Sequence, residues 1–204
     1  GSFLARASTV DIGGNIFVPS GTIDIQTLST TSNVAGDHSL TVADGVLLST
    51  AGQWANDFLN PAQVSSGVLL DGGNIILSSA QNLTLGAGSV LDADGGALVD
   101  TDGKVQGGDG GDITLKAGTA DDAGQSTSSY TLSLGGTLRS YSLNKGGKLT
   151  LAAPASVQIG GVAPVDTSTF YLNTGFFTQG GFSSYDVSGP KGLTVAEGAN
   201  IDVR

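Results

Sequence analysis

The sequence predicts an all-β fold in which short strands stack in repeated coils. The first observation is the composition: the chain of 204 residues contains 33 Gly, and only 13% of its residues are charged. Glycine supplies sharp corners between strands. Of the 18 acidic residues, Glu197 is the one Glu. Because Asp favours turns whereas Glu favours helix interiors, this bias also points away from helices.

The second observation is a phrase of eleven residues that recurs along the chain. Its copies begin at Leu40, Leu83, Leu149 and Leu193. Apolar residues occupy the first, third and ninth positions of each copy, so their side chains point to one face of an extended chain. Between the apolar groups stands a tight link, centred on Gly45, Gly88, Pro154 or Gly198. A strand, a corner and a second strand form the unit of a solenoid of the parallel β-helix type.

The third observation is a diglycine followed by an alternating strand, at Gly72–Leu77, Gly110–Leu115 and Gly146–Leu151. The last of these overlaps the phrase that begins at Leu149, so both motifs belong to one coil of roughly 20 residues. We expect the Leu, Val and Ile side chains of each strand to face inward and the Thr side chains to face outward.

Three stretches interrupt the coil pattern. Residues 51–66 are expected to form a short helix or a lip, residues 119–129 a protruding polar loop, and residues 162–189 an aromatic insertion. We expect residues 3–204 to form a single solenoid segment that carries these three stretches as insertions. Gly1 and Ser2 resemble a remnant of cloning, and the chain is expected to be a fragment of a longer protein.

Charge and cysteine content disfavour several functions. The formal net charge of −10 argues against nucleic acid and against anionic membrane surfaces as partners. The chain has no Cys, so a disulfide, a thiolate metal site and a Cys nucleophile are all ruled out. Since the sequence has no long apolar run, membrane insertion is not expected.

Exposed aromatic residues are the first candidates for ligand binding. The predicted ligand-binding residues are Trp54, Phe176, Phe177, Phe182 and Tyr185. Aromatic side chains of this kind can stack on sugar rings. They can equally pack an insertion against the flank of the solenoid, so both interpretations stay open.

A group of aspartates is the candidate metal site. This aspartate group comprises Asp92, Asp94, Asp100 and Asp102, which lie in the Gly-containing phrases DADGG and DTDG. Carboxylates two residues apart can both reach a calcium ion, which takes six to eight oxygen ligands. The spacing does not fit an EF-hand, and turn-forming Asp and Gly at coil corners explain the same pattern. Calcium therefore stands as an alternative to purely structural turns.

Four segments together carry a family resemblance: Leu83–Ala97, Gly110–Gly118, Gly146–Ala153 and Gly181–Val203. With these motifs the chain resembles the filamentous haemagglutinin-like large exoproteins. The resemblance implies a right-handed β-helical rod, exported by an outer-membrane transporter through two-partner secretion. It further implies a secreted or cell-surface adhesin that functions in attachment and biofilm. The single Asn-Pro pair, Asn60-Pro61, lies outside the context of the family's secretion motifs, so a shaft segment is expected rather than the secretion domain.

Three functions follow from this resemblance and from the fold. The first is a non-catalytic adhesin segment whose partner is a receptor or glycan on host cells or other bacteria. The second is the β-helical stick of a contact-dependent growth inhibition toxin. The third is a β-helix enzyme acting on polysaccharides, which the eight widely scattered Lys and Arg residues disfavour. We therefore expect no catalysis.

Overall fold

The computed structural model describes residues 1–28, 36–62, 64–119, 130–166 and 168–203, and its regular secondary structure is nearly all strand. The strands are β1 Ser2–Ala7, β2 Val10–Ile12, β3 Ile16–Phe17, β4 Thr22–Thr27, β5 Leu40–Val42, β6 Leu47–Ser49, β7 Trp54–Asn56, β8 Asn74–Ser78, β9 Leu83–Leu85, β10 Val90–Asp92, β11 Ala97–Val99, β12 Val105–Gly107, β13 Ile113–Lys116, β14 Leu132–Leu134, β15 Thr137–Arg139, β16 Lys148–Ala152, β17 Val157–Ile159, β18 Phe170–Leu172, β19 Ser184–Ser188 and β20 Leu193–Val195. A 3-10 helix spans Thr174–Thr178. The prediction of an all-β fold is confirmed.

The strands form five sheets. The first sheet has six strands in the order β1-β4-β8-β13-β16-β19, the second is β2-β5-β9-β14, and the third is β3-β6-β10-β15. The fourth is β7-β11-β12 and the fifth is β18-β17-β20. All described strand pairs are parallel except the β11–β12 hairpin. Four times over, the chain passes through the first, second and third sheets in that order, and each pass is one coil.

Successive coils stack in register, which builds the core. Ile75, Ile113 and Leu149 are direct neighbours across β8, β13 and β16, and all three are almost fully buried. Because the diglycine motifs precede these three strands, their predicted equivalence is confirmed. Each buried Leu or Ile contributes on the order of 2 kcal/mol through removal from water.

The diglycines permit close stacking of coil corners. A Cβ added at Gly73 would lie 1.9 Å from the carbonyl oxygen of Gly21, and one added at Gly111 would lie 1.8 Å from that of Gly73. The series continues at Gly147, where a Cβ would lie 2.0 Å from the Gly111 carbonyl. At Gly21 an added Cβ would lie 2.3 Å from the Gly1 carbonyl oxygen, so these four glycines, which we call the glycine column, are required for space.

The repeated phrase occupies different sides of the coil. The copies at Leu40 and Leu83 run from the second sheet to the third, whereas the copy at Leu149 begins in the first sheet. The apolar residues of these three copies are buried, as predicted. In the last copy Leu193 and Val195 are 44% and 48% exposed, because β20 pairs with β17 on one side and with no described strand on the other.

The predicted boundaries of the interruptions are partly wrong. Residues 51–66 contain β7, which pairs with β11, and no described helix. Within residues 162–189, β19 continues the first sheet, so that interruption ends before Ser184. Residues 120–129 of the predicted loop lie outside the described part. At the amino terminus, Ser2 begins β1 and the Gly1 carbonyl accepts a hydrogen bond from the Thr22 N–H, so both residues belong to the fold.

Candidate functional site

The second sheet ends at β14, although the coils continue. The next coil should place β17 against β14, but β17 instead pairs with β18 on one side and with β20 on the other. The chain leaves β17 through Gly160 and Gly161, both with positive φ, and later returns as β18. Since β18 occupies the side of β17 that would face β14, it separates two coils that are adjacent in the first sheet.

A cavity of about 580 Å³ opens where the coils separate. Its walls come from β14 and β18, from the corner after β16, and from the segment between the 3-10 helix and β19. This volume falls in the range of small-ligand sites in proteins. We call it the aromatic cavity, because its described lining includes Tyr130, Tyr141, Phe170, Tyr171, Phe176, Phe182 and Tyr185.

The aromatic cavity gathers all four tyrosines of the chain. Part of its aromatic wall is interlocked: the Tyr185 ring lies 5.0 Å from that of Phe177 and 5.9 Å from that of Phe182, both in edge-to-face geometry. Phe176 also meets Phe177 edge to face at 5.6 Å. Such packing holds the chain around the 3-10 helix against the solenoid.

Tyrosine hydroxyls anchor the loops that border the aromatic cavity. The Tyr171 hydroxyl donates to the Gly161 carbonyl at 3.0 Å, and the Tyr185 hydroxyl donates to the Gln179 carbonyl at 2.9 Å. The Tyr141 hydroxyl accepts a hydrogen bond from the Gly180 N–H at 3.2 Å. The polar ends of these side chains therefore already have backbone partners.

The described lining of the aromatic cavity carries no charged side chain. None of the described residues that line it is Asp, Glu, Lys, Arg or His. Burial raises the pKa of Tyr185 above its ordinary value of 10.0, so this side chain stays neutral throughout the physiological range. The cavity is thus suited to an uncharged ligand.

The predicted ligand-binding residues do not form one site. Phe176, Phe182 and Tyr185 line the aromatic cavity. Phe177 is only 3% exposed and packs behind them. Trp54 lies on β7 in the fourth sheet, where it is 72% exposed and outside the cavity lining.

Sequence reasoning missed the opposite wall of the aromatic cavity. Tyr130 and Tyr141 flank β14 and β15, and neither was selected as a candidate. A signal was available, because tyrosine occurs in only two stretches of the sequence and both border the cavity. The gap between β14 and β18 had no sequence signal, since it depends on which strand β17 takes as its neighbour.

The aspartate group divides into an ion pair and a turn. Arg139 contacts Asp92 at 2.7 Å and Asp94 at 3.1 Å. Burial raises the pKa of the Asp94 carboxyl, and the hydrogen bond with Asp92 raises that of Arg139. Asp100 accepts hydrogen bonds from the N–H groups of Asp102 and Lys104 at 3.0 and 2.8 Å, as a turn residue does.

No three acidic or His side chains in the described part of the chain lie close enough together to hold a metal ion. The carboxylates of Asp92 and Asp94 instead face a guanidinium, which supplies the positive charge that calcium would bring. The calcium hypothesis stays a prediction.

Comparison with known proteins gives no relative: no family model matches the chain, and no significant match exists among curated proteins or solved structures. No helix among the described residues is long and apolar enough to cross a membrane.

Proposed function

We propose that the chain is a right-handed parallel β-helix and forms a shaft segment of a large secreted bacterial adhesin. One observation carries this proposal: each coil contributes one strand to the first sheet, and these strands pair in parallel and in register. A stack of this kind grows in length without changing its cross-section. It is therefore suited to carry binding regions away from a cell surface.

The resemblance to filamentous haemagglutinin-like exoproteins supplies the biological setting. The parent protein would leave the cell through an outer-membrane two-partner secretion transporter and remain at the cell surface or in the medium. Its partners would be receptors or glycans on host cells or on other bacteria. The solenoid provides extension, and the aromatic cavity is the place where this segment would contact a partner, because the regular stack is broken there.

The test measures attachment of the labelled chain to epithelial cells and to bacteria by flow cytometry. We expect saturable attachment that Tyr171→Ala reduces, because this change removes part of the cavity wall. Tyr171→Phe keeps the ring and should retain attachment. Trp54→Ala is the matched control, because it removes an exposed aromatic side chain from a different sheet.

Two outcomes would contradict the proposal. Absence of attachment by the unmodified chain to every cell tested would remove the adhesive function. Equal attachment by the unmodified chain and Tyr171→Ala would show that the aromatic cavity is not the contact region. Small-angle scattering tests the shaft separately, because a stacked solenoid gives the profile of a short rod.

A further inference from the structure

No described strand pairs with the edge of β14 that faces the aromatic cavity. The Thr131 carbonyl accepts a hydrogen bond from Leu83 at 3.0 Å, and the Gly135 N–H donates to Leu85 at 2.8 Å, so these peptide groups face β9. Successive residues of a strand present their peptide groups to alternate sides. The N–H and C=O groups of Leu132 and Leu134 therefore face away from β9, toward the cavity.

The edge of β18 on the other side of the cavity is open in the same way. The Phe170 N–H donates to Ser156 at 2.9 Å, and the Leu172 carbonyl accepts from Gly160 at 2.8 Å, so these groups face β17. By the same alternation, the peptide groups of Tyr171 face the cavity. Among the described strands, β14 pairs only with β9 and β18 only with β17.

The aromatic cavity therefore lies between two strand edges that run in the same direction, since β14 and β18 each extend parallel stacks. An unpaired edge is a template for another strand. A strand with a rise of about 3.3 Å per residue, a spacing of about 4.8 Å and a sheet thickness of about 10 Å occupies roughly 160 Å³ per residue. The volume of about 580 Å³ thus holds about four residues of extended chain.

The lining indicates which side chains such a strand would carry. Leu138, Leu149 and Phe182 are buried residues of the lining, so one face of the added strand would meet apolar groups. Ser133 and Thr169 provide hydroxyls elsewhere, and no charged residue is present in the described lining. The matching pattern is apolar side chains alternating with small neutral polar ones, as in β5 of this chain, Leu-Thr-Val.

We infer that the aromatic cavity binds an extended, uncharged peptide segment, which enters between β14 and β18 as an additional strand. This inference rests on the proposed adhesive function and specifies the partner as a protein segment rather than a glycan. A glycan would need open ring faces for stacking, whereas several of the rings here are engaged edge to face with one another. Main-chain hydrogen bonds would supply affinity, and the apolar side chains would supply selectivity.

The first experiment uses a peptide taken from the chain itself. The probe is Ser-Leu-Thr-Val-Ala, the sequence of residues 39–43, with an amino-terminal fluorophore and an amidated carboxyl end. Fluorescence anisotropy should show saturable binding to the whole chain. The matched control is the same peptide with an N-methyl group on Thr, which removes one main-chain donor and adds bulk at the strand edge. Loss of the hydrogen bonds on that side should weaken binding by about tenfold.

The second experiment changes the protein edge. Leu134→Pro removes an N–H that faces the cavity and leaves those of Ser133 and Gly135 available to β9, and proline is tolerated on edge strands. Leu134→Ala is the matched control for the side chain. We expect Leu134→Pro to bind the peptide about tenfold more weakly than Leu134→Ala. Equal melting temperatures would show that both variants are folded. If the proline variant does not fold, the N-methyl comparison with the unmodified chain still tests the inference.

Each outcome separates this inference from the proposed function. Equal binding of the normal and N-methylated peptides, or displacement of the peptide by a neutral oligosaccharide such as maltohexaose, would overturn strand addition. Attachment to cells with no peptide binding would leave the adhesive function in place and reject the inference. Peptide binding that Leu134→Pro weakens, without attachment to cells, would support the inference and reject the adhesive function.

Discussion

The glycine column and the corner glycines of the repeated phrase should respond differently to the same substitution. In Gly111→Ala the added Cβ would lie 1.8 Å from the Gly73 carbonyl oxygen. Ordinary contact begins at 3.4 Å, so the two coils would have to separate by about 1.6 Å, a third of the ~4.8 Å strand spacing. Gly88 has φ of +68° and nothing within 4 Å of an added Cβ, so Gly88→Ala meets only backbone strain.

The magnitudes follow from these contacts. Separation by this amount would break the hydrogen bond from the Ile75 N–H to the Asp112 carbonyl, now 2.9 Å long. Overpacking costs about 1–3 kcal/mol and the lost hydrogen bond about 1 kcal/mol, so we expect Gly111→Ala to destabilise the chain by about 2–4 kcal/mol. Left-handed backbone in Gly88→Ala costs about 1–2 kcal/mol. At roughly 3 °C per kcal/mol for a chain of this size, the melting temperature falls by about 6–12 °C in the first variant and by about 4 °C in the second.

Circular dichroism during heating measures both variants, and asparagine provides the control. Asn tolerates left-handed backbone better than Ala. Gly88→Asn should therefore recover part of the lost stability, whereas Gly111→Asn should recover none. Equal melting temperatures for Gly111→Ala and Gly88→Ala, or recovery by Asn at both positions, would refute the distinction between space and backbone conformation.

Three further predictions concern charged and titratable groups. Arg139→Met leaves the Asp92 side chain, which is 8% exposed, without its cationic partner. The free energy of unfolding should fall by about 2 kcal/mol, which is less than the cost of breaking a fully buried ion pair because Arg139 is 41% exposed. Lys148→Met breaks an exposed ion pair and should cost below ~0.5 kcal/mol. Equal urea midpoints for Arg139→Met and Lys148→Met would contradict the assignment of Arg139 as the partner of a buried carboxylate. Tyr185 should ionise above pH 10.0, because burial raises its pKa above that ordinary value. Its contribution to stability is complete below pH 10 and declines as the pH rises through the folded-state pKa of Tyr185. Ultraviolet difference absorbance should show a tyrosine ionisation above pH 10 that Tyr185→Phe lacks, and persistence of that ionisation in the variant would contradict the prediction. The melting temperature in calcium and in chelator tests the calcium hypothesis: a rise of several degrees with calcium would support binding at the aspartate group, and shifts below about 1 °C in both would reject it.

The strand pattern was predictable because it depends on side-chain alternation. Leu83 and Leu85 are buried and Thr84 between them is less so, as an alternating strand requires. Equally, the diglycines predicted where strands of the first sheet begin. The reason for those glycines was not predictable, because the demand for space at Gly111 comes from a carbonyl 38 residues away in sequence, at Gly73.

The side of the coil taken by each phrase was also beyond the sequence. Leu149 and Leu83 begin similar phrases, yet β16 lies in the first sheet and β9 in the second. Any buried parallel strand followed by a corner satisfies the same pattern of apolar positions. The pattern therefore identifies a strand and its corner but not the sheet that the strand joins.

The aromatic cavity depends both on the strand pattern and on the sheet that each strand joins. A coil that only repeated its predecessor would bring β17 against β14 and leave no unpaired edge inside the stack. The aromatic segment before β19 prevents this, because β18 pairs with β17 first and the interlocked rings of Phe177, Phe182 and Tyr185 hold that segment in place. The rings thus hold this segment in place, and the peptide groups of β14 and β18 without a described strand partner lie at the cavity. For this reason an N-methyl group on a bound peptide is a sharper test of the cavity than removal of an aromatic side chain, which would also disturb this packing.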